Sequence, residues 1–157
     1  MALKSDRYEL QTDISFFCNA AVDRGGVVVY QDGTALGAAM DSGAATVVSE
    51  VGDTNSRPVG ILLNDVVDKD LTRTHLNQHK DEVQKGGKVT VLRKGYVVTD
   101  QIDSNVTVAA GQPAYLSELE AGQLSNVTGS SFPDLLVGRF MSAADADGYA
   151  KVEVNLP

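Results

Sequence analysis

The side chains with the strongest chemical signature are His75 and His79, with Glu82 close behind. On a helix the two imidazoles sit one turn apart on one face, and the carboxylate falls near them. Two nitrogens and an oxygen at that spacing could hold a zinc ion. The metalloprotease pattern, however, needs Glu directly after the first His, and position 76 is Leu. The chain has only these two histidines and one cysteine, Cys18. Cys18 follows Phe16 and Phe17, where a thiol is a small buried hydrophobe rather than a nucleophile. The acids Asp65, Asp68 and Asp70, and again Asp145 and Asp147, cluster without the glycine and glutamate spacing of a calcium loop. They suit turns and helix starts. Gly25-Gly26 and Gly86-Gly87 lack the Lys-Ser/Thr of a phosphate loop, and no Gly-x-Ser-x-Gly occurs. These observations predict no enzyme, no metal and no cofactor.

Charge narrows the partners. The chain of 157 residues carries 13 cations and 21 anions, a formal −8. That opposes phosphate neutralisation and anionic membrane surfaces, so neither nucleic acid nor membrane is an expected partner. The distribution is uneven. Residues 1–64 hold 4 cations against 8 anions, residues 65–94 hold 7 against 5, and residues 95–157 hold 2 against 8. The basic segment includes Arg73, His75, His79, Lys80 and Lys85, and could face an acidic protein partner. A lone cysteine gives no disulfide framework, and Lys4, Asp6 and Arg7 interrupt any apolar leader, so synthesis in a cytoplasm is expected.

The elements that must position these residues are strands. Val27 to Tyr30, Thr46 to Val51 and Pro113 to Leu116 are short β-rich runs bounded by turn residues. Val59 to Leu63 is continuous and apolar, as in a strand buried on both faces. Lys88 to Arg93 and Tyr96 to Thr99 read as two strands with a corner at Lys94-Gly95. Val106 to Val108 and Leu135 to Met141 read as further strands, and Asp145 to Gly148 as a hairpin loop into Tyr149 to Leu156. Leu71 to Val83 is polar with a thin apolar face, and predicts one short surface helix or an irregular loop ending at Gly86-Gly87. Gly60, Gly86, Gly87 and Gly95 set the corners of this central unit. Residues 1–15 are set apart as an extended N-terminal arm, and residues 16–157 as a single β-domain. The even spacing of Tyr8, Leu10 and Ile14 fits either an internal edge strand or an arm that adds to another protein's sheet.

The run Arg57-Pro58-Val59-Gly60-Ile61-Leu62-Leu63-Asn64-Asp65, the later Lys85-Gly86-Gly87-Lys88-Val89-Thr90-Val91 and Lys94-Gly95-Tyr96-Val97-Val98-Thr99 together resemble capsid decoration (cement, head-stabilisation) proteins of tailed bacteriophages. Pro113 to Ser117, Val137 to Phe140 and Val152 to Val154 are similar to the closing strands of that family. The resemblance covers about Val47 to Pro157. It implies an all-β fold, a small β-barrel or β-sandwich (β-tulip-like) with one short helix and the N-terminal arm. It also implies a homotrimer on the outer surface of an icosahedral head, bound to the major capsid protein and bridging capsomers. Leu3, Tyr8, Leu10 and Ile14 would then be the arm's capsid-binding residues. A rival expectation is a virion-displayed β-sandwich module for a host surface or carbohydrate, although the chain has no Trp and only nine aromatic residues, five Tyr and four Phe.

Overall fold

The computed structural model describes residues 3–31, 46–53, 55–65, 82–83, 85–127 and 135–157. Its N-terminal half contains β1 (Tyr8–Cys18), β2 (Val22–Asp23), β3 (Val27–Tyr30), β4 (Thr46–Val48), β5 (Pro58–Asp65) and β6 (Glu82–Val83). The C-terminal half contains β7 (Lys88–Thr99), β8 (Pro113–Leu116), β9 (Leu124–Ser125), β10 (Leu136–Phe140) and β11 (Ala150–Asn155).

The backbone pairings follow a closed path. β1 pairs β4 in parallel, β4 pairs β3, β3 pairs β5, β5 pairs β7, and β7 returns to β1, these last four antiparallel. Five strands thus make a barrel-like circuit, closed between β1 and β4 at Phe17 and Cys18. From β7 the same sheet runs on through β11, β10, β8 and β9. β2 and β6 form a separate two-stranded ribbon, with Val22 opposite Val83.

Two cores explain why Val59 to Leu63 has no polar side. Val59 and Leu62 join Phe16, Cys18, Val28, Val89 and Val91 in the smaller cluster, drawn from strands of the circuit. Ile61 and Leu63 join the larger cluster, with Leu92, Leu116, Leu135, Phe140 and Val152. β5 therefore lies between two apolar layers and is buried on both faces. Each fully buried Leu or Ile contributes roughly 1.5–3 kcal/mol of transfer free energy.

β7 is the shared wall of both layers. It is one continuous 12-residue strand, not two strands around a corner. One stretch, Val89 to Leu92, pairs β5; the next, Lys94 to Thr99, pairs β11; and β1 pairs from Lys88 to Tyr96. Gly95 does not turn the chain. It sits at φ 140°, and a Cβ there would run into the Tyr8 carbonyl oxygen. Only glycine lets β1 cross so close. Gly60 serves the same purpose against the Leu92 carbonyl.

One other expectation differs, one lies mostly outside the described residues, and one falls to the first of its two alternatives. Val106 to Val108 is not a strand, although Val108 is buried in the larger core. The short helix was expected over Leu71 to Val83. Residues 71–81 lie outside the described residues, Glu82 and Val83 are strand, and there is no α-helix among the described residues. Residues 8–15 belong to β1, paired to β7, so the internal-strand alternative describes their place in this chain.

Candidate interaction surface

The surface of interest begins with an anomaly of β1. In a half-buried strand alternate residues are covered. From Tyr8 to Ser15 every residue is exposed except the half-buried Asp13. Tyr8 is 54% exposed, Leu10 66% and Ile14 53%. The strand is held along one edge by β7, through a ladder with three irregularities. Its other edge pairs only at Phe17 and Cys18, with β4. Among the described residues, the outer main-chain edge from Tyr8 to Ser15 has no strand beside it.

Local contacts fix this segment along β7. Leu3 bridges Thr99, and Lys4 N–H donates to the Val98 carbonyl at 3.0 Å. Lys4 Nζ reaches Asp145 Oδ2 at 2.9 Å and lies 4.2 Å from the Tyr149 ring centroid. That bond holds the Asp145 carboxyl below its ordinary range, helped by the Tyr149 and Asp147 amides. Tyr8 stacks on Tyr96 with centroids 6.0 Å apart, and Lys151 Nζ sits 3.8 Å from the Tyr96 ring centroid. Farther along, partial burial works against the Asp13 carboxylate. The Ser15 hydroxyl and amide and the Arg93 guanidinium outweigh it and hold Asp13 low.

A row of directly opposed residues crosses four strands of the sheet. Arg139 faces Glu153, Glu153 faces Tyr96, and Tyr96 faces Tyr8. Beside this row is a cleft of about 230 Å³ lined by Tyr8, Leu10, Met141, Gly95, Lys94 and Glu153 among others. β7, β10 and β11 together carry Lys88, Arg93, Lys94, Arg139 and Lys151 against Glu153 alone. Of these five cations, Arg93 pairs with Asp13 at 3.6 Å and Lys151 with Asp6 at 3.5 Å.

The residues singled out in the sequence are dispersed. Leu3 is buried in the larger core at 7% exposure, while Tyr8, Leu10 and Ile14 face outward. Gly86, at φ 87°, makes the turn before β7, and its N–H donates to the Cys18 carbonyl. The Gly87 carbonyl accepts from Cys18 N–H at 2.9 Å. Lys85 is exposed at that turn. Arg73, His75, His79 and Lys80, and the side chain of Glu82, lie outside the described residues. No group of three or more His, Cys, Asp or Glu among the described residues could hold a metal. Sequence reasoning missed the cleft and the basic strands. Counting charge over residues 95–157 averaged Arg139 and Lys151 into an acidic total, whereas counting by strand exposes them.

Comparison with known proteins points to a structural role. No curated protein matches the chain. The family model described as Structural cement protein (E217 gp24/Pam3 gp6) matches residues 7–155. That span runs from the start of β1 to the end of β11, and the chain belongs to this family of phage structural cement proteins.

Proposed function

We propose that this chain decorates the outer surface of an icosahedral phage head as a homotrimer, binds the major capsid protein, and stabilises the head by bridging neighbouring capsomers. It is made in the host cytoplasm and acts without catalysis or cofactor. The observation that carries this reading is the edge of β1 from Tyr8 to Ser15, exposed and with no strand beside it among the described residues. The N-terminal segment, residues 1–15, is the capsid-binding arm in this reading. A capsid segment adds to its free edge, and the outward Ile14 packs on the shell. Each main-chain hydrogen bond contributes about 0.5–1.5 kcal/mol net. Three such contacts on one trimer raise affinity by roughly 10²–10⁴ through effective concentration. The basic segment with Arg73, His75, His79, Lys80 and Lys85 is assigned to a second contact with the same shell. The net charge of −8 keeps the protein from competing for packaged DNA.

The test is co-sedimentation of the purified protein with undecorated, expanded heads. Wild type is expected to saturate the heads as a trimer. Ile14→Asp, a change at an exposed position, is expected to keep the fold and lose most of its occupancy. Undiminished occupancy of that variant removes β1 from the capsid contact. Failure of the wild type to bind any head removes the function.

A further inference from the structure

Several exposed apolar side chains, among them Val51, Leu119 and Val127, have no place in the proposed capsid contact. Leu119, 71% exposed, is the most exposed large hydrophobic residue described. It lies in the turn between β8 and β9, flanked by Glu118 and Glu120. The turn is rigidly built. Ser117 Oγ accepts from the amides of Leu119 and Glu120, each at 3.1 Å, and donates to Asp103 Oδ2 at 2.6 Å. Glu120 accepts from the Ser104 hydroxyl at 2.7 Å. The result is a fixed apolar knob with acidic flanks.

The cleft beside Tyr8 has the complementary character. Its apolar walls are Tyr8, Leu10 and Met141, all exposed. Lys94 and Glu153 also line it, and Arg139 lines the adjoining depression that shares Glu153 and Asn155, so the two together carry two cations against one anion. Neither cation forms an ion pair among the described residues. The knob and the cleft occupy different parts of the sheet: the knob joins β8 to β9 at one end of the strand order, and the cleft spans β1, β7 and β11. One copy therefore carries both halves of a contact at separate places.

We infer that the Leu119 knob of one copy seats in the Tyr8–Leu10–Met141 cleft of the next, with Glu118 and Glu120 against Lys94 and Arg139. This rests on the proposed trimer and specifies its joint. The contact is head-to-tail, and such a contact closes into a ring when its rotation permits. An apolar side chain seated in a pocket with charged neighbours is the arrangement that concentrates binding energy in few residues. Side chains stand perpendicular to a strand's main-chain edge, so Tyr8 and Leu10 can serve this joint while the free edge of β1 serves the shell.

The test uses the full-length chain in sedimentation equilibrium, with Leu119→Asp and Met141→Asp. Both positions are exposed, and near-native melting of each variant is checked first. Wild type is expected to form a closed oligomer. Each variant alone is expected to associate at least about tenfold more weakly. An equimolar mixture is expected to form a heterodimer, because one variant keeps an intact cleft and the other an intact knob. Variants that retain the wild-type oligomer overturn this joint and leave the trimer standing. A mixture that stays monomeric overturns the head-to-tail arrangement. A wild type that is monomeric at all concentrations overturns the joint and the trimer together, and its binding to heads reports separately on the cement function.

Discussion

Asp103 is the one buried carboxylate among the described residues. Its Oδ2 accepts from Ser117 Oγ at 2.6 Å, and its Oδ1 from the Asn105 amide at 2.8 Å. Burial pushes its pKa up, but the Ser117 and Asn105 donors outweigh burial and hold it below the ordinary value. A carboxyl depressed by folding stabilises the native state above its unfolded pKa, about 3.9. That contribution is lost as pH falls through the lower folded value. Asp103→Asn is expected to cost about 1–3 kcal/mol at neutral pH, because an amide cannot accept on both sides. The gap between variant and wild type should narrow as pH falls below about 4. Urea titrations from neutral to acid pH check this, and a gap independent of pH would refute the linkage. Asp13, Asp53 and Asp145 are also held low, so the variant keeps a residual acid slope. In the sequence, Asp103-Ser104 is legible only as a turn. Its partner Ser117 sits 14 positions away on another loop, and no local spacing records that contact.

The element that organises the fold is β7, and its composition was legible. Lys88 to Thr99 is rich in β-branched residues, and Gly95 stands out within it. Its continuity was not legible, because an interior glycine is the ordinary sign of a break or corner. Here the reason for glycine comes from another element, the carbonyl of Tyr8 pressing against position 95. The same holds for β1. Tyr8-x-Leu10 alternation predicts a strand, but cannot say whether its apolar side is covered within the chain. Gly95→Ala is expected to cost roughly 2–4 kcal/mol, combining an unfavourable positive φ with displacement of β1. Gly86→Ala, with positive φ but open space around it, is expected to cost only about 1–2 kcal/mol. Chemical denaturation of the two variants makes the comparison. Equal costs would mean that β1 does not bear on position 95.

At the scale of the whole molecule, the all-β class and the closing strands from Pro113 onward follow from period-two patterns and turn residues. The strand order does not. β4 lies between β1 and β3, and the β1–β4 pairing is parallel, so the circuit depends on non-local contacts that local patterns leave undetermined. This whole-molecule construction has a thermodynamic consequence. In the proposed contact the shell meets β1 only where β7 holds it extended, so the shell binds the folded chain in preference to the unfolded one. Binding then adds to stability by mass action, about 2.7 kcal/mol when free sites stand at a hundred times the dissociation constant. For a chain of this size that corresponds to a rise in melting temperature of about 5–10 °C. The protein on decorated heads is therefore expected to unfold above the free protein in calorimetry, with tyrosine fluorescence as a second probe because the chain lacks tryptophan. Linkage makes the effect reciprocal: the expanded shell, bound in preference to the disrupted one, must gain resistance to heat from the same contacts. Identical melting of free and bound protein, or of bare and decorated heads, would mean that the chain does not hold the shell through its folded surface.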